Sequence, residues 1–158
     1  MLSIIICDDS YEINDDLFAI IEKYFRQKKM PVVIQQYYDS QKLIEDKPLF
    51  DIMFLDIEMP KYNGIEVAKR IRGINTKTRI FFVSAYEKFA VEGYGLSADE
   101  YLLKPFRYME FEKALSRVLL KIQVDKKRIF VENTDQGKIV IDLDDILFFE
   151  TCERKLKI

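Results

Sequence analysis

Short apolar runs bounded by polar residues recur along most of the chain and indicate where its strands lie. Each run has about four to eight residues and is rich in β-branched and aromatic side chains, which is typical of buried strands. The runs span residues 3–7, 31–38, 50–56, 78–85 and 100–104. We therefore predict five strands before residue 105.

Apolar side chains between these runs recur at spacings of three and four residues, the pattern of an amphipathic helix. The pattern predicts one helix from residue 11 to about 28 and a second from Gly64 to Arg72, where Gly73 supplies a stop signal. A longer helix is predicted from Phe106 onward. Its apolar stripe comprises Phe111, Ala114, Leu115, Val118, Leu119 and Ile122.

Strands that alternate with helices predict an α/β fold, because each crossover between parallel strands must lay a helix on the sheet. The near-continuous apolar strands agree with a parallel sheet that is buried on both faces. In sheets of this kind, ligands bind beyond the carboxyl ends of the strands. The residues that follow each strand are therefore the candidates for function.

The pattern changes after about residue 124, where apolar and polar residues alternate at period two. Asp135-Gln136-Gly137 has the composition of a turn between two strands. About three strands are expected up to Ile158, too few to bury a core of their own. We predict a second, β-rich segment over residues 124–158.

Composition adds limits on location and partners. The 158 residues are 49% hydrophobic, and 25 basic and 27 acidic residues give a net charge of -2, which provides no general attraction to nucleic acid or an anionic membrane. Cys7 and Cys152 lack the spacing of a redox motif, and the apolar start is too short for a signal or a membrane span. We expect a cytoplasmic protein with no membrane contact.

The sequence contains no histidine, which excludes a Ser-His-Asp triad, zinc ligation by histidine and autophosphorylation on histidine. The polar residues at or just after the ends of the predicted strands are Asp8, Asp9, Asp56, Ser84 and Lys104. Carboxylates crowded at one sheet edge repel each other unless a cation lies among them, and Mg²⁺ prefers oxygen ligands of this kind. Such a site can receive a phosphoryl group on Asp56, with Lys104 and Ser84 holding the phosphoryl oxygens.

These residues resemble the receiver domain of bacterial two-component response regulators. The resemblance covers about residues 2–123 and includes Asp8-Asp9, the stretch FLDIEMPKYNG around Asp56, Ser84-Ala85 and YLLKPF with Lys104-Pro105. It implies a flavodoxin-like, doubly wound (βα)5 fold with a five-stranded parallel sheet. Residues 1–123 are accordingly predicted to form a receiver domain.

The resemblance also implies a role for each site residue. Asp56 is the expected phosphoacceptor, a sensor histidine kinase is the expected donor, and the chain is expected to be a signalling protein rather than an enzyme. Mg²⁺ is expected to bind Asp9, Asp56 and the backbone carbonyl of Glu58, while Asp8 acts mainly through coordinated water. Lys104 and Ser84 would contact the phosphoryl group, Tyr101 would be the aromatic switch that turns inward with Ser84, and the Lys104-Pro105 bond is expected to be cis.

The end of the chain resembles response regulators of the LytTR class, LytR/AgrA type. Residues 128–158, RIFVENTDQGKIVIDLDDILFFETCERKLKI, are similar to the first strands of a LytTR DNA-binding domain. Only the opening part of that domain is present, so we expect residues 124–158 to be a fragment in a truncated or naturally shortened protein. The resemblance implies homodimerisation, and DNA binding and transcription regulation through the complete LytTR domain.

Two other interpretations remain open. A receiver that signals only through protein contacts would use its tail as a pairing element, because the tail strands have unpaired edges. A Mg²⁺-dependent phosphatase of the haloacid-dehalogenase type would form the same aspartyl phosphate. That enzyme needs a second aspartate two residues after the nucleophile, where this chain has Glu58, so we favour the receiver.

Overall fold

Five parallel strands form the main sheet of the computed structural model. They are β1 (Leu2–Cys7), β2 (Val32–Tyr37), β3 (Ile52–Asp56), β4 (Arg79–Ser84) and β5 (Glu100–Leu103). The structure describes residues 1–86, 98–126, 128–134, 137–142, 150–152 and 155–157, with the backbone alone described from residue 125 onward. All five predicted strands are confirmed.

The described helices are α1 (Tyr11–Gln27), α2 (Ser40–Asp46), α3 (Gly64–Ile74) and α4 (Tyr108–Lys126). Three of them follow the predicted periodic segments, and every residue of the stripe expected in the last helix is buried. The stop predicted at Gly73 is wrong, because α3 continues through it to Ile74. Helix α2 was not assigned from the sequence. It begins after Asp39, whose side chain accepts a hydrogen bond from the Gln41 backbone N–H at 2.7 Å. The prediction of a helix between β4 and β5, which a (βα)5 pattern requires, concerns a segment of which residues 87–97 lie outside the described residues.

The strand order is β2-β1-β3-β4-β5. This is the order of flavodoxin-like doubly wound sheets, in which the direction of winding reverses between β1 and β3. The predicted fold class is therefore confirmed. The reversal places the carboxyl ends of β1 and β3 side by side, at the edge where ligands bind in such folds.

Apolar side chains cover both faces of the sheet, because successive strand residues point to opposite sides. On one face, Ile5 and Met53 belong to a buried cluster with residues of α2 and α3. On the other face, the Phe54 ring stacks on Phe81 at 4.5 Å and lies 5.8 Å from the ring of Phe111 in α4. Strand β3 is buried at every position, and this packing fixes the position of its last residue, Asp56.

The chain divides into two compact units, Met1–Leu115 and Ser116–Ile158. The second unit contains two antiparallel pairs, β6 (Arg128–Thr134) with β7 (Gly137–Asp142), and β8 (Glu150–Cys152) with β9 (Lys155–Lys157). The described part thus has four strands where about three were expected, and Asp135 and Gln136 of the predicted turn lie outside it. The domain boundary at residue 123 stays a prediction. No helix in the described part of the chain is long and apolar enough to cross a membrane.

Replacing Phe54 by alanine is expected to lower the free energy of unfolding by about 3–5 kcal/mol, because it leaves a cavity next to the rings of Phe81 and Phe111. Urea denaturation measures the change. The control is Leu49→Ala, since the Leu49 side chain is 76% exposed and should change stability by less than about 0.5 kcal/mol. Equal losses in the two variants would contradict the central position of the Phe54 ring.

Candidate functional site

Three carboxylates meet at the carboxyl edge of the sheet. Asp8 and Asp9 follow β1, Asp56 ends β3, and carboxylate oxygens from all three lie within 4.8 Å of one another. Asp8 and Asp56 are buried, whereas Asp9 is exposed. The fold thus brings Asp56 close to Asp9, although the two residues are 47 positions apart along the chain.

The ammonium group of Lys104 lies between two of these carboxylates. Its Nζ is 2.8 Å from Asp8 Oδ2 and 2.7 Å from Asp56 Oδ1. The Lys104 backbone N–H donates to the Ser84 carbonyl at 2.8 Å, which ties the exit of β5 to the end of β4. The Lys104-Pro105 peptide bond is cis, as expected. The Lys104 side chain, at the exit of β5, therefore contacts both the residue that follows β1 and the last residue of β3.

Burial raises the pKa of Asp56, because it penalises the charged form of the carboxyl group. The hydrogen bond and charge of Lys104 act in the opposite direction, as does the hydrogen bond from the Glu58 backbone. Burial alone would lower the pKa of Lys104, but its contacts with Asp56 and Asp8 outweigh that effect and raise it. Lys104 thus pairs with two of the three clustered carboxylates. This all-oxygen donor set, with its excess negative charge, fits a divalent cation such as Mg²⁺.

Ser84 and Tyr101 both contact Tyr86. Ser84 is the last residue of β4 and is 1% exposed, and its Oγ accepts a hydrogen bond from the Tyr86 backbone N–H at 3.2 Å. The Tyr101 hydroxyl, at the end of a half-buried side chain on β5, donates to the Tyr86 backbone carbonyl. The hydroxyl at the site and the predicted switch residue are therefore linked through the backbone of Tyr86.

A family model described as the response regulator receiver domain matches residues 4–116. The chain belongs to this family. The match contains every site residue identified above, from Asp8 to Lys104. The family assignment agrees with the resemblance drawn from the sequence motifs.

Individual relatives agree with this assignment. The sensory transduction protein LytT of Oceanobacillus iheyensis is 38% identical over 115 residues, which is 68% of this chain and 47% of that protein. The response regulatory domain of MrkE from Klebsiella pneumoniae has a TM-score of 0.69 and 25% identity, over 77% of this chain and 98% of that domain. This chain thus spans about half the length of that LytT.

The response regulator TrrA of Thermotoga maritima was solved in complex with Mg²⁺-BeF. It has a TM-score of 0.65 and 25% identity, over 75% of this chain and 99% of that chain. The Mg²⁺ in that structure belongs to TrrA. For the present receiver, the fit to Mg²⁺ rests on its own three carboxylates.

Gly64 ends the FLDIEMPKYNG stretch and is predicted from the sequence to start a helix, but the sequence assigns it no role in holding Asp56. A Cβ at this position would lie 2.2 Å from the Asp56 backbone oxygen and 3.0 Å from the Ile57 Cα. The Gly64 N–H donates to the Ile57 carbonyl at 2.9 Å, so α3 begins directly against the end of β3. Asn63 and Glu66 close the start of α3 as a capping box. Only a residue without a side chain permits this approach.

Cys7 lies behind the acidic pair without taking part in it. Its Sγ donates to Met59 Sδ at 3.6 Å. Burial, followed by the charge of Asp8, raises the pKa of the Cys7 thiol to about 12. The thiol therefore stays protonated at neutral pH, which agrees with a packing role for this cysteine.

Gly64→Ala is expected to lower the free energy of unfolding by about 1–3 kcal/mol, because the new methyl group must displace the backbone at Asp56. Gly73→Ala is the matched control, since a Cβ at Gly73 meets nothing within 4 Å. It should stabilise α3 by up to about 1 kcal/mol. Urea denaturation of both variants measures the difference. Similar behaviour of the two would contradict the close approach at Gly64.

Proposed function

We propose that this chain is the receiver part of a two-component response regulator, and that Asp56 accepts a phosphoryl group from a sensor histidine kinase. The observation that carries the proposal is the Lys104 ammonium within 2.8 Å of both Asp8 and Asp56 in a cluster of three carboxylates. An ammonium in this position can move to the oxygens of an incoming phosphoryl group. The cluster around it supplies both the nucleophile and the cation ligands.

In the proposed reaction, Asp56 Oδ forms a bond to phosphorus while the bond from phosphorus to the donor's imidazole nitrogen breaks. The electron pair leaves with the imidazole, which takes up a proton. Lys104 then pairs with the transferred oxygens, and the Ser84 hydroxyl donates to one of them. In this proposal the chain is a phosphoacceptor signalling protein that promotes only its own phosphorylation and dephosphorylation.

The proposed cation ligands are Asp9, Asp56 and the backbone carbonyl of Glu58, with Asp8 acting mainly through water. Mg²⁺ bound there would neutralise the negative charge that builds up on the phosphoryl oxygens. The cluster supports this assignment because its oxygens lie close enough to share one ion. The exposure of Asp9 leaves a side open to solvent, from which the ion can enter.

We further propose that Ser84 and Tyr101 form the switch. When the Ser84 hydroxyl turns to a phosphoryl oxygen, its hydrogen bond with the Tyr86 N–H is weakened. The backbone of Tyr86 also accepts the Tyr101 hydroxyl, so the change is passed to β5. Phosphorylation would thereby shift a two-state equilibrium of this face toward the form that dimerises.

The proposed output is transcription regulation by a homodimer in the cytoplasm. Residues 1–123 are assigned to the receiver and residues 124–158 to the start of a LytTR-type DNA-binding domain. The likeness to the O. iheyensis protein named LytT, over 68% of this chain, supports a regulator of this kind. DNA would be bound through a complete LytTR domain.

Incubation with acetyl phosphate and Mg²⁺ is expected to add one phosphoryl group to the wild-type protein and none to Asp56→Asn, because the amide is a poor nucleophile. Intact mass spectrometry measures the adduct. Asp16→Asn, at an exposed aspartate of α1, is the control and should be phosphorylated like the wild type. An equal adduct on Asp56→Asn, or none on the folded wild type, would contradict the assignment.

Tyr101→Phe is expected to weaken dimerisation in beryllofluoride and Mg²⁺ by roughly fivefold, since it removes one neutral hydrogen bond. Beryllofluoride stands in for the phosphoryl group, and analytical ultracentrifugation measures the dimer. The control is Tyr108→Phe, which loses a hydroxyl contact of 2.9 Å with Gln27 Oε1 on another part of the surface. Equal responses of Tyr101→Phe and the wild type would exclude the Tyr86 link.

A further inference from the structure

Asn14 is a polar residue in the interior of unit Met1–Leu115. It lies on α1, its side chain is 0% exposed, and its Nδ2 donates to two backbone carbonyls. The acceptors are the Asp8 carbonyl at 3.0 Å and the Tyr37 carbonyl at 2.8 Å. Of the two ends of an amide, only the NH₂ group can donate to two carbonyls, so these contacts also fix the orientation of the amide.

These contacts extend the ladder between β1 and β2 by one step. The paired register ends at Cys7 and Tyr37, and the Asp8 N–H still donates to the Tyr37 carbonyl at 3.2 Å. Beyond this point the chain turns into α1, and the Asp8 carbonyl no longer has a strand to bind. The Asn14 amide takes the place of that strand.

The carbonyl held by Asn14 belongs to the peptide that joins Asp8 to Asp9. The orientation of this peptide determines the direction in which the Asp9 side chain leaves the backbone. The Asp8 carboxylate is held from the same helix end, since its Oδ1 accepts the Ser10 N–H at 2.9 Å. Helix α1 therefore constrains the backbone through Asn14 and the carboxylate through Ser10.

Packing alone does not account for asparagine at this position. Its Oδ1 is buried and has no hydrogen-bond partner among the described residues. A buried carbonyl without a partner is unfavourable, and an apolar side chain of similar size would avoid that cost. What an apolar residue could not supply is the pair of hydrogen bonds to Asp8 and Tyr37.

We propose that Asn14 is a positioning residue that orients the Asp8-Asp9 pair for binding Mg²⁺. This inference rests on the proposed function, because it concerns the cation of the phosphoacceptor site. Asn14 touches neither the cation nor the phosphoryl group. It acts through the backbone of Asp8, in the way that groups behind a metal ligand set its orientation and affinity.

The test is the Mg²⁺ dissociation constant of Asn14→Leu, measured by isothermal titration calorimetry. The variant is nearly isosteric but lacks the donor, and binding is expected to weaken by about tenfold. Leu17→Ala is the matched control, at a buried apolar position one turn further along α1. It should lower the thermal midpoint while leaving the dissociation constant unchanged, which separates positioning from a general loss of stability.

The wild type is titrated first. If the wild type binds no Mg²⁺, the proposed function fails and this inference fails with it. If the wild type binds Mg²⁺ and Asn14→Leu binds it equally well, or if Leu17→Ala weakens binding as much, only the role of Asn14 is overturned. Should Asn14→Leu not fold, Asn14→Ala removes the donor in a smaller volume, and an affinity equal to the wild type would overturn the inference.

Discussion

The Lys104 ammonium between Asp8 and Asp56 is the interaction on which the arrangement of this site depends. Buried carboxylates at the end of an apolar sheet repel each other, and burial itself raises the pKa of Asp56. Lys104 offsets part of both effects through contacts of 2.8 and 2.7 Å. Because its backbone N–H is bound to Ser84, the ammonium is held in place by the sheet and not by a free loop.

The order of the strands makes this contact possible. Asp8 and Asp56 belong to the ends of neighbouring strands, and Lys104 leaves β5 two strands further along the sheet. Apolar side chains fill both faces and hold the strands in register, while the residues just beyond the strand ends supply the charges. The core therefore sets positions, and the loops supply the chemistry.

Close packing behind the site also affects the orientation of the acidic side chains. Gly64 allows α3 to start against the Asp56 backbone, and Asn14 ties the Asp8 backbone to β2. Neither residue belongs to the cluster of charges. Each acts on the backbone that carries a carboxylate, so the direction of the acidic side chains depends on the helices on both sides of the sheet.

Much of this molecule could be predicted from its sequence, because period-two and period-three-to-four patterns report burial directly. The five strands end within two residues of their predicted limits, and Asp8, Asp9, Asp56 and Lys104 lie together as their places after the strands implied. The seven-residue helix α2 was missed, since it buries only Ser40 and Leu43 and so has little apolar periodicity. The roles of Gly64 and Asn14 were not foreseen, because a clash with a backbone oxygen and a hydrogen bond to a strand end depend on distances that no spacing in the sequence encodes.

The sequence by itself thus determined which residues form the sheet and which polar groups gather at its edge. The tertiary structure alone decided how those groups face one another, because that orientation is set by packing and hydrogen bonds between residues far apart in the chain.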